Sequence, residues 1–204
     1  MESAHYFNAQ PGVPDVRKPL TVVLDGVERR LETSAGIFSP DGVDKGTAVL
    51  LDEVPDPATE GELLDIGCGW GPIALTMALR SPNATVYAVD VNERSLSLTA
   101  ANAQRLGLPN VRTSLPDGVP AETRFATIWS NPPIRIGKQA LHELLLRWLP
   151  RLQAGGEAWL VVQKNLGADS LLRWIADELG DSYDVSREST SKGFRILRVM
   201  RRAD

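Results

Sequence analysis

Three short stretches of this sequence carry residue types that could do chemistry together. The first is Leu63-Leu64-Asp65-Ile66-Gly67-Cys68-Gly69-Trp70-Gly71-Pro72, an apolar run that ends in a carboxylate and passes into three alternating glycines. The second, Val86-Tyr87-Ala88-Val89-Asp90-Val91, is another apolar run that ends in a carboxylate, and the third is Ser130-Asn131-Pro132-Pro133-Ile134. A strand, a glycine turn and a helix start let backbone approach a ligand closely and aim N–H groups at it. A dinucleotide site wants a further glycine where Pro72 stands, and its pyrophosphate would be repelled by Asp65. A sulfonium carrying an α-ammonium would be attracted by the same charge, so the loop favours S-adenosylmethionine over NAD. Asp90 ends the next strand, where a carboxylate in an open α/β sheet can accept both ribose hydroxyls. Asn92 beside it reads equally as a plain helix cap.

Methylating an exocyclic amine requires the nitrogen lone pair, otherwise delocalised into the ring, to be turned toward the methyl group. The amide oxygen of Asn131 and the carbonyl of Pro132 can each accept one N–H of such an amine. The prolines fix the backbone, and a proline carbonyl is expected to have no competing amide hydrogen nearby. That is positioning and electrostatic preorganisation without a covalent intermediate. A bare Asn-Pro-Pro is usually only a turn. Its place at the end of a strand, on the same rim as Gly67 and Asp90, is what gives it a site to serve.

The elements that must hold these residues alternate strand and helix from Glu62 onward. Strands are expected at 63–66, 85–89, 111–113, 125–129 and 158–162, with helices at 72–80, 92–106, about 138–152 and 168–179. An antiparallel pair, 183–188 and 194–200, closes the chain. Such alternation implies an α/β fold, a mostly parallel, doubly wound sheet covered on both faces, with the final strand inserted antiparallel. Upstream, Asp25-Gly26 between β-prone runs predicts a separate hairpin over 21–31, and a helix is expected from about Gly46 to Val54. The start Asp44-Lys45-Gly46-Thr47 reads either as a simple cap or as N–H groups that receive a ligand carboxylate. Residues 1–19, with three prolines and no period, read as an extended arm, and 20–204 as one catalytic domain.

Together these motifs resemble a class I S-adenosylmethionine-dependent methyltransferase of the amino-methylating type. Gly36-Ile37-Phe38-Ser39-Pro40-Asp41-Gly42-Val43-Asp44-Lys45-Gly46-Thr47 and Val161-Val162-Gln163-Lys164-Asn165-Leu166-Gly167 are similar to segments of the small-subunit ribosomal RNA guanine-N2 methyltransferases and their small single-domain relatives. The resemblance runs over roughly 20–202. It implies a Rossmann-like seven-stranded sheet, S-adenosylmethionine held at Asp65, Gly67, Cys68, Gly69, Gly71, Asp90, Val91 and Asn131, and an amine oriented by Asn131, Pro132 and Pro133. Ile134, Arg135 and Lys138 are then expected to meet the substrate, a guanine of 16S ribosomal RNA or of the small subunit.

Two positions depart from that family. Ile134 replaces the aromatic residue that often follows Asn-Pro-Pro and stacks on a flipped base. Ser114 stands where an acid usually meets the adenine amine, with Asp117 three residues on. The two-domain members also carry an N-terminal domain that these 204 residues do not include, so RNA selectivity is expected from the arm, the hairpin or a partner protein. Other amines, on DNA adenine, a protein glutamine or a small molecule, remain open, as does an RNA-binding module with a vestigial cofactor pocket.

Composition narrows the remaining classes. No apolar run approaches the length that crosses a bilayer, and Met1 to Tyr6 lacks a secretory pattern. The single cysteine, Cys68, excludes an intramolecular disulfide and fits the cytoplasm. It has no neighbouring base that would make it a nucleophile. His5 and His142 have no ligand partners in sequence, so no metal is expected. A net charge of −4 leaves a polyanion substrate to local clusters: Arg17-Lys18, Arg29-Arg30, Arg135 with Lys138, and Arg201-Arg202. Trp129, Trp148, Trp159 and Trp174 read as core, and Trp70 stays ambiguous.

Overall fold

The computed structural model describes residue 12 and residues 14–203. The expected arm over 1–19 therefore lies mostly outside the described residues, as does His5. Strand β1 (Arg17–Leu24) pairs antiparallel with β2 (Val27–Ser34) around Asp25-Gly26, both at positive φ, so the hairpin forms where the turn chemistry demands it and runs longer than 21–31. A helix, α1 (Lys45–Glu53), follows.

The main sheet contains β3 (Glu62–Ile66), β4 (Thr85–Val89), β5 (Val111–Ser114), β6 (Phe125–Ser130), β7 (Leu152–Gln163), β8 (Tyr183–Ser191) and β9 (Phe194–Arg201). Their spatial order is β5-β4-β3-β6-β7-β9-β8, with β9 antiparallel to both its neighbours and the first five strands mutually parallel. The Rossmann-like doubly wound sheet with an inserted antiparallel last strand is thus the observed fold. The chain winds outward from β3 through β4 and β5, then returns to β6 on the other side. A crevice opens at the carboxyl ends where the winding reverses.

Strand alternation divides the core. Leu64, Ile66, Ile128, Leu160 and Leu197 pack under α4 (Lys138–Trp148) and α5 (Ala168–Leu179). Leu63, Val86, Trp129, Trp159 and Ile196 pack under α1 and α2 (Pro72–Arg80), with α3 (Glu93–Leu106) beside them. Helix α4 stops at Trp148 instead of continuing to Leu152, because Pro150 lacks the N–H a helix needs and the chain tightens into a short 3-10 turn before β7. Trp129, Trp148 and Trp159 are buried, while Trp174 is half-buried and stacks on His142 at 3.4 Å between ring centroids.

The hairpin belongs to the same body. Leu20, Leu24 and Leu31 pack with Ile37, Trp70, Leu75 and Leu98 in a third apolar cluster. Buried Asn102 of α3 accepts the Glu32 N–H at 2.8 Å and donates to Glu32 O and Trp70 O, tying hairpin to glycine loop. The Trp70 indole N–H donates to Ser39 O at 3.1 Å. This settles the ambiguous tryptophan as a buried anchor for the loop over 35–44. Arg17 pairs with Glu32 and Arg202 with Asp184, so two of the basic clusters brace the fold. Among the described residues no helix is long and apolar enough to cross a membrane.

Candidate active site

A cavity of about 350 Å³ lies in the crevice, within the range of small-molecule sites. One wall is the glycine loop and the end of β4: Gly67, Val89, Asp90 and Val91. The loop is pinned there because the N–H groups of Gly67 and Cys68 both donate to Val89 O, at 2.8 and 3.1 Å. Asp90 accepts the Gly69 N–H on one oxygen at 3.0 Å and the Asn92 N–H on the other at 2.9 Å. Burial pushes its carboxyl up from the usual range, and hydrogen bonds from the Asn92 and Gly69 N–H groups, the Ser95 hydroxyl and the Val91 N–H pull it back. Asp90 lines the cavity, so its carboxylate stands where a ligand hydroxyl can reach it. At Gly67 the space a Cβ would take is open, so a ligand can reach the backbone.

Gly71 serves the loop from behind. Its φ is +102°, and a Cβ there would stand 3.1 Å from Thr99, so it has no place in the cavity wall but allows α2 to start close against α3. Cys68 and Gly69 face a small neighbouring pocket with Gly67, Asp44, Thr47 and Asn131. The Cys68 thiol is buried, and burial together with the Asp90 and Asp65 charges pushes it well up, away from nucleophile chemistry.

Asp65 requires a correction. It points from β3 toward α2, is fully buried, and lines neither cavity. One oxygen accepts the Ala74 N–H at 3.0 Å and the other accepts nothing. Burial holds this carboxyl well above the ordinary range, the Ala74 bond opposing and the Asp90 charge adding to the shift. Direct contact with a ligand ammonium is therefore not what its position provides. It braces the first turn of α2 against β3. Asn92 is likewise a buried cap: its oxygen accepts the Arg94 N–H and its amide donates to Gly36 O.

The opposite wall comes from four distant segments: Phe38 and Asp44; Asn131 to Arg135; Gln163 and Leu166; and Phe194. Asn131 donates one amide hydrogen to Asp44 Oδ2 at 2.9 Å and the other to Thr47 Oγ1 at 3.1 Å. A carboxylate oxygen only accepts, so the amide must present nitrogen to it, and the oxygen is what remains for a ligand. Pro132 O already accepts the Ile134 N–H at 2.8 Å, contrary to the expected freedom from competition. The tight turn after the prolines produces that bond, and one lone pair remains.

The start of α1 is also resolved. Asp44 Oδ2 takes the Gly46 and Thr47 N–H groups at 2.8 and 3.4 Å, and Asp44 O takes that of Ala48. These three donors are spent on the side chain and carbonyl of Asp44, so they do not receive a ligand carboxylate. Ile134 and Arg135 line the cavity, whereas Lys138 stands exposed outside it at the start of α4. Neither Arg135 nor Lys138 has a carboxylate partner among the described residues. Asp117, the displaced acid, is exposed and paired with Arg147; Pro116 lines the cavity instead. Sequence reasoning missed Gln163 and Phe194 as wall residues, though Gln163 lay in a segment already singled out. Among the described residues no cluster of three metal-ligating side chains occurs.

Comparison with known proteins follows the same lines. The model of the family described as methyltransferase small domain matches residues 28–198. The chain is 36% identical, over 97% of its length and 98% of the relative's, to the uncharacterized protein YbxB of Bacillus subtilis. It is 32% identical, over 90% of its length, to ribosomal RNA small subunit methyltransferase C of Pseudomonas entomophila, but spans 57% of that protein. In fold it is similar to the T. thermophilus 16S rRNA N2 G1207 methyltransferase (RsmC), solved with AdoMet and guanosine. The TM-score is 0.74 at 21% identity, covering 94% of this chain and 52% of that one. The open glycine backbone, the Asp90 carboxylate and the cavity fit the cofactor that the family match implies. The chain belongs to the methyltransferase small domain family, as an S-adenosylmethionine-dependent methyltransferase.

Proposed function

We propose that this enzyme methylates an exocyclic amine, the N2 of a guanine in small-subunit ribosomal RNA. The observation that carries the reading is the Asn131 amide: both of its hydrogens are spent on Asp44 and Thr47, leaving its oxygen as an acceptor. That oxygen and the free lone pair of Pro132 O can take the two N–H groups of a target amine and turn its lone pair toward the methyl donor. When bound, S-adenosylmethionine supplies an electrophilic methyl group on sulfur. Asp90 would hold the cofactor ribose, with the open Gly67 backbone and the apolar Val91 side chain beside it.

A flat ring suits the rest of the wall. Ile134 cannot stack, but Phe38 and Phe194 line the same cavity from other segments and supply aromatic faces. Arg135 at the cavity and Lys138 just outside it are free to meet phosphates. The 32%-identical relative is named for ribosomal RNA methylation, which supports RNA as the substrate class and a cytoplasmic setting. Residues 20–204 act in this reading as one methyltransferase unit. The test is transfer of labelled methyl to ribosomal RNA, or to immature small subunits, from cells lacking the protein, followed by nucleoside analysis. N2-methylguanosine is expected; label only on a carbon, a ribose oxygen or another amine would overturn the assignment.

A further inference from the structure

Asp44 stands 87 positions before Asn131 in the chain, yet one of its oxygens serves both the start of α1 and the amide that faces the amine. A helix cap needs only a short acceptor, and serine meets that need as well as aspartate. The reach to Asn131 is additional. Thr47, one turn into the same helix, takes the second amide hydrogen at 3.1 Å and is buried.

We infer that Asp44, with Thr47, is a positioning device for methyl transfer: it fixes which face of the Asn131 amide meets the amine and makes that face a better acceptor. Three physical effects follow from the contact. The amide cannot flip, because its oxygen would then face a carboxylate. Its rotamer is held before the amine arrives, so no ordering cost falls on the reaction. The negative charge 2.9 Å from the nitrogen draws electron density toward the amide oxygen, as charge-assisted chains of hydrogen bonds do. Asp44 touches no reacting atom in this arrangement; it acts through Asn131.

Gly46 supplies independent support. A Cβ there would stand 3.0 Å from Asp44 Oδ2, 3.0 Å from the Phe194 ring and 3.3 Å from Asn131 Nδ2. Alanine ordinarily favours a helix over glycine, so a glycine in the first turn of α1 works against helix propensity. What it preserves is room for the carboxylate, the amide and the aromatic ring to meet.

The inference rests on the amine-orienting reading of Asn131, and its test separates the two. Asp44→Ser keeps a helix cap but is too short to hold Asn131. Gly46→Ala changes none of the bonded groups and wedges them apart. In single-turnover transfer from labelled S-adenosylmethionine to ribosomal RNA of cells lacking the protein, each should slow the maximal rate about 10–10²-fold, the range for a misplaced group, with cofactor affinity unchanged. Asn131→Ala in the Asp44→Ser background should cost less than Asn131→Ala alone, because one device has already been broken. Asp44→Asn, which keeps a neutral acceptor at full reach, should recover part of the rate lost in Asp44→Ser. The Asn131 side-chain amide pair in a ¹⁵N–¹H spectrum needs no substrate, and in Asp44→Ser it should move toward free-asparagine positions. Wild-type rates in Asp44→Ser, full additivity of the two substitutions, or an unmoved amide pair would overturn the inference. Full activity in Asn131→Ala would instead overturn the amine-orienting reading itself.

Discussion

The wall formed by the glycine loop and the wall that carries Asn131 face one cavity but are assembled from different spans of chain. On the cofactor side, Gly67, Asp90 and Val91 come from two adjacent strand ends, and hydrogen bonds between those ends hold them. On the target side, Asn131 depends on Asp44, the cap of α1, and on Thr47 within it, and the cavity is completed by Phe38, Gln163 and Phe194. The first wall is built where two consecutive strand–turn–helix units lie side by side. The second exists only after α1, β6, β7 and β9 have packed. A substitution should therefore damage affinity on one wall and rate on the other.

The largest expected effect is on rate. Asn131→Ala should leave cofactor binding intact and slow single-turnover transfer about 10²–10³-fold, the loss seen when one well-placed hydrogen-bonding group is removed from a dry site. An equal loss of cofactor affinity would erase the contrast between the walls. Asp90→Ala should do the reverse. Losing hydrogen bonds to a charged group costs about 1.5–3 kcal/mol, or about 10–150-fold in Kd for S-adenosylhomocysteine by calorimetry, with the rate at saturating cofactor far less affected.

Gly71→Ala tests the local character of the first wall. A side chain at φ +102°, 3.1 Å from Thr99, should cost about 1–3 kcal/mol. For a chain of this size that lowers Tm by about 2–4 °C for each kcal/mol, and thermal unfolding would show it. An unchanged Tm would mean that the loop yields more easily than its packing implies.

The smallest effect is expected at Asp65, and it sharpens the comparison with Asp90. Burial raises the folded-state pKa of Asp65, so the native state holds its proton more tightly than the unfolded chain. Its contribution to stability is greatest below the ordinary carboxylate range and is lost as pH rises through the raised value. Asp65→Asn keeps an acceptor for the Ala74 N–H and removes the titration. Denaturant unfolding should therefore show a flatter fall in stability above the ordinary aspartate range than in the parent protein. Cofactor affinity should change much less than in Asp90→Ala. A comparable loss of affinity would put Asp65 back in contact with the ligand and break the distinction between the two carboxylates.

These two aspartates also mark where sequence reading stops. In sequence both close an apolar run; charge gave Asp65 to the ligand, and a place at the end of a strand gave it Asp90. Side-chain alternation along β3 turns Asp65 toward α2, while Asp90 follows the last strand residue of β4 and can curl back over the glycine loop. The same limit applies to Pro132, whose carbonyl was expected to be free of competition. The turn that follows it supplies the Ile134 N–H, which only the folded path of the backbone reveals. The missing aromatic after Asn131-Pro132-Pro133 reads in sequence as a loss of stacking. In three dimensions, Phe38 and Phe194 reach the same cavity from 93 and 63 positions away.

The sequence by itself determined whatever depends on neighbours in the chain. Period-two and period-3.6 apolar patterns set the strands and helices, Asp25-Gly26 set the hairpin, and the alternating glycines the loop beside the cavity. Such signals are local because turn dihedrals, caps and side-chain periodicity are properties of a few consecutive residues. Only the tertiary structure decided which carboxylate faces the ligand, which N–H groups at α1 are already satisfied, and what orients the Asn131 amide. Each of those is a contact between residues far apart in sequence, whose partners are chosen by how strands order in the sheet and helices lie across it, and no run of neighbouring residues encodes that choice.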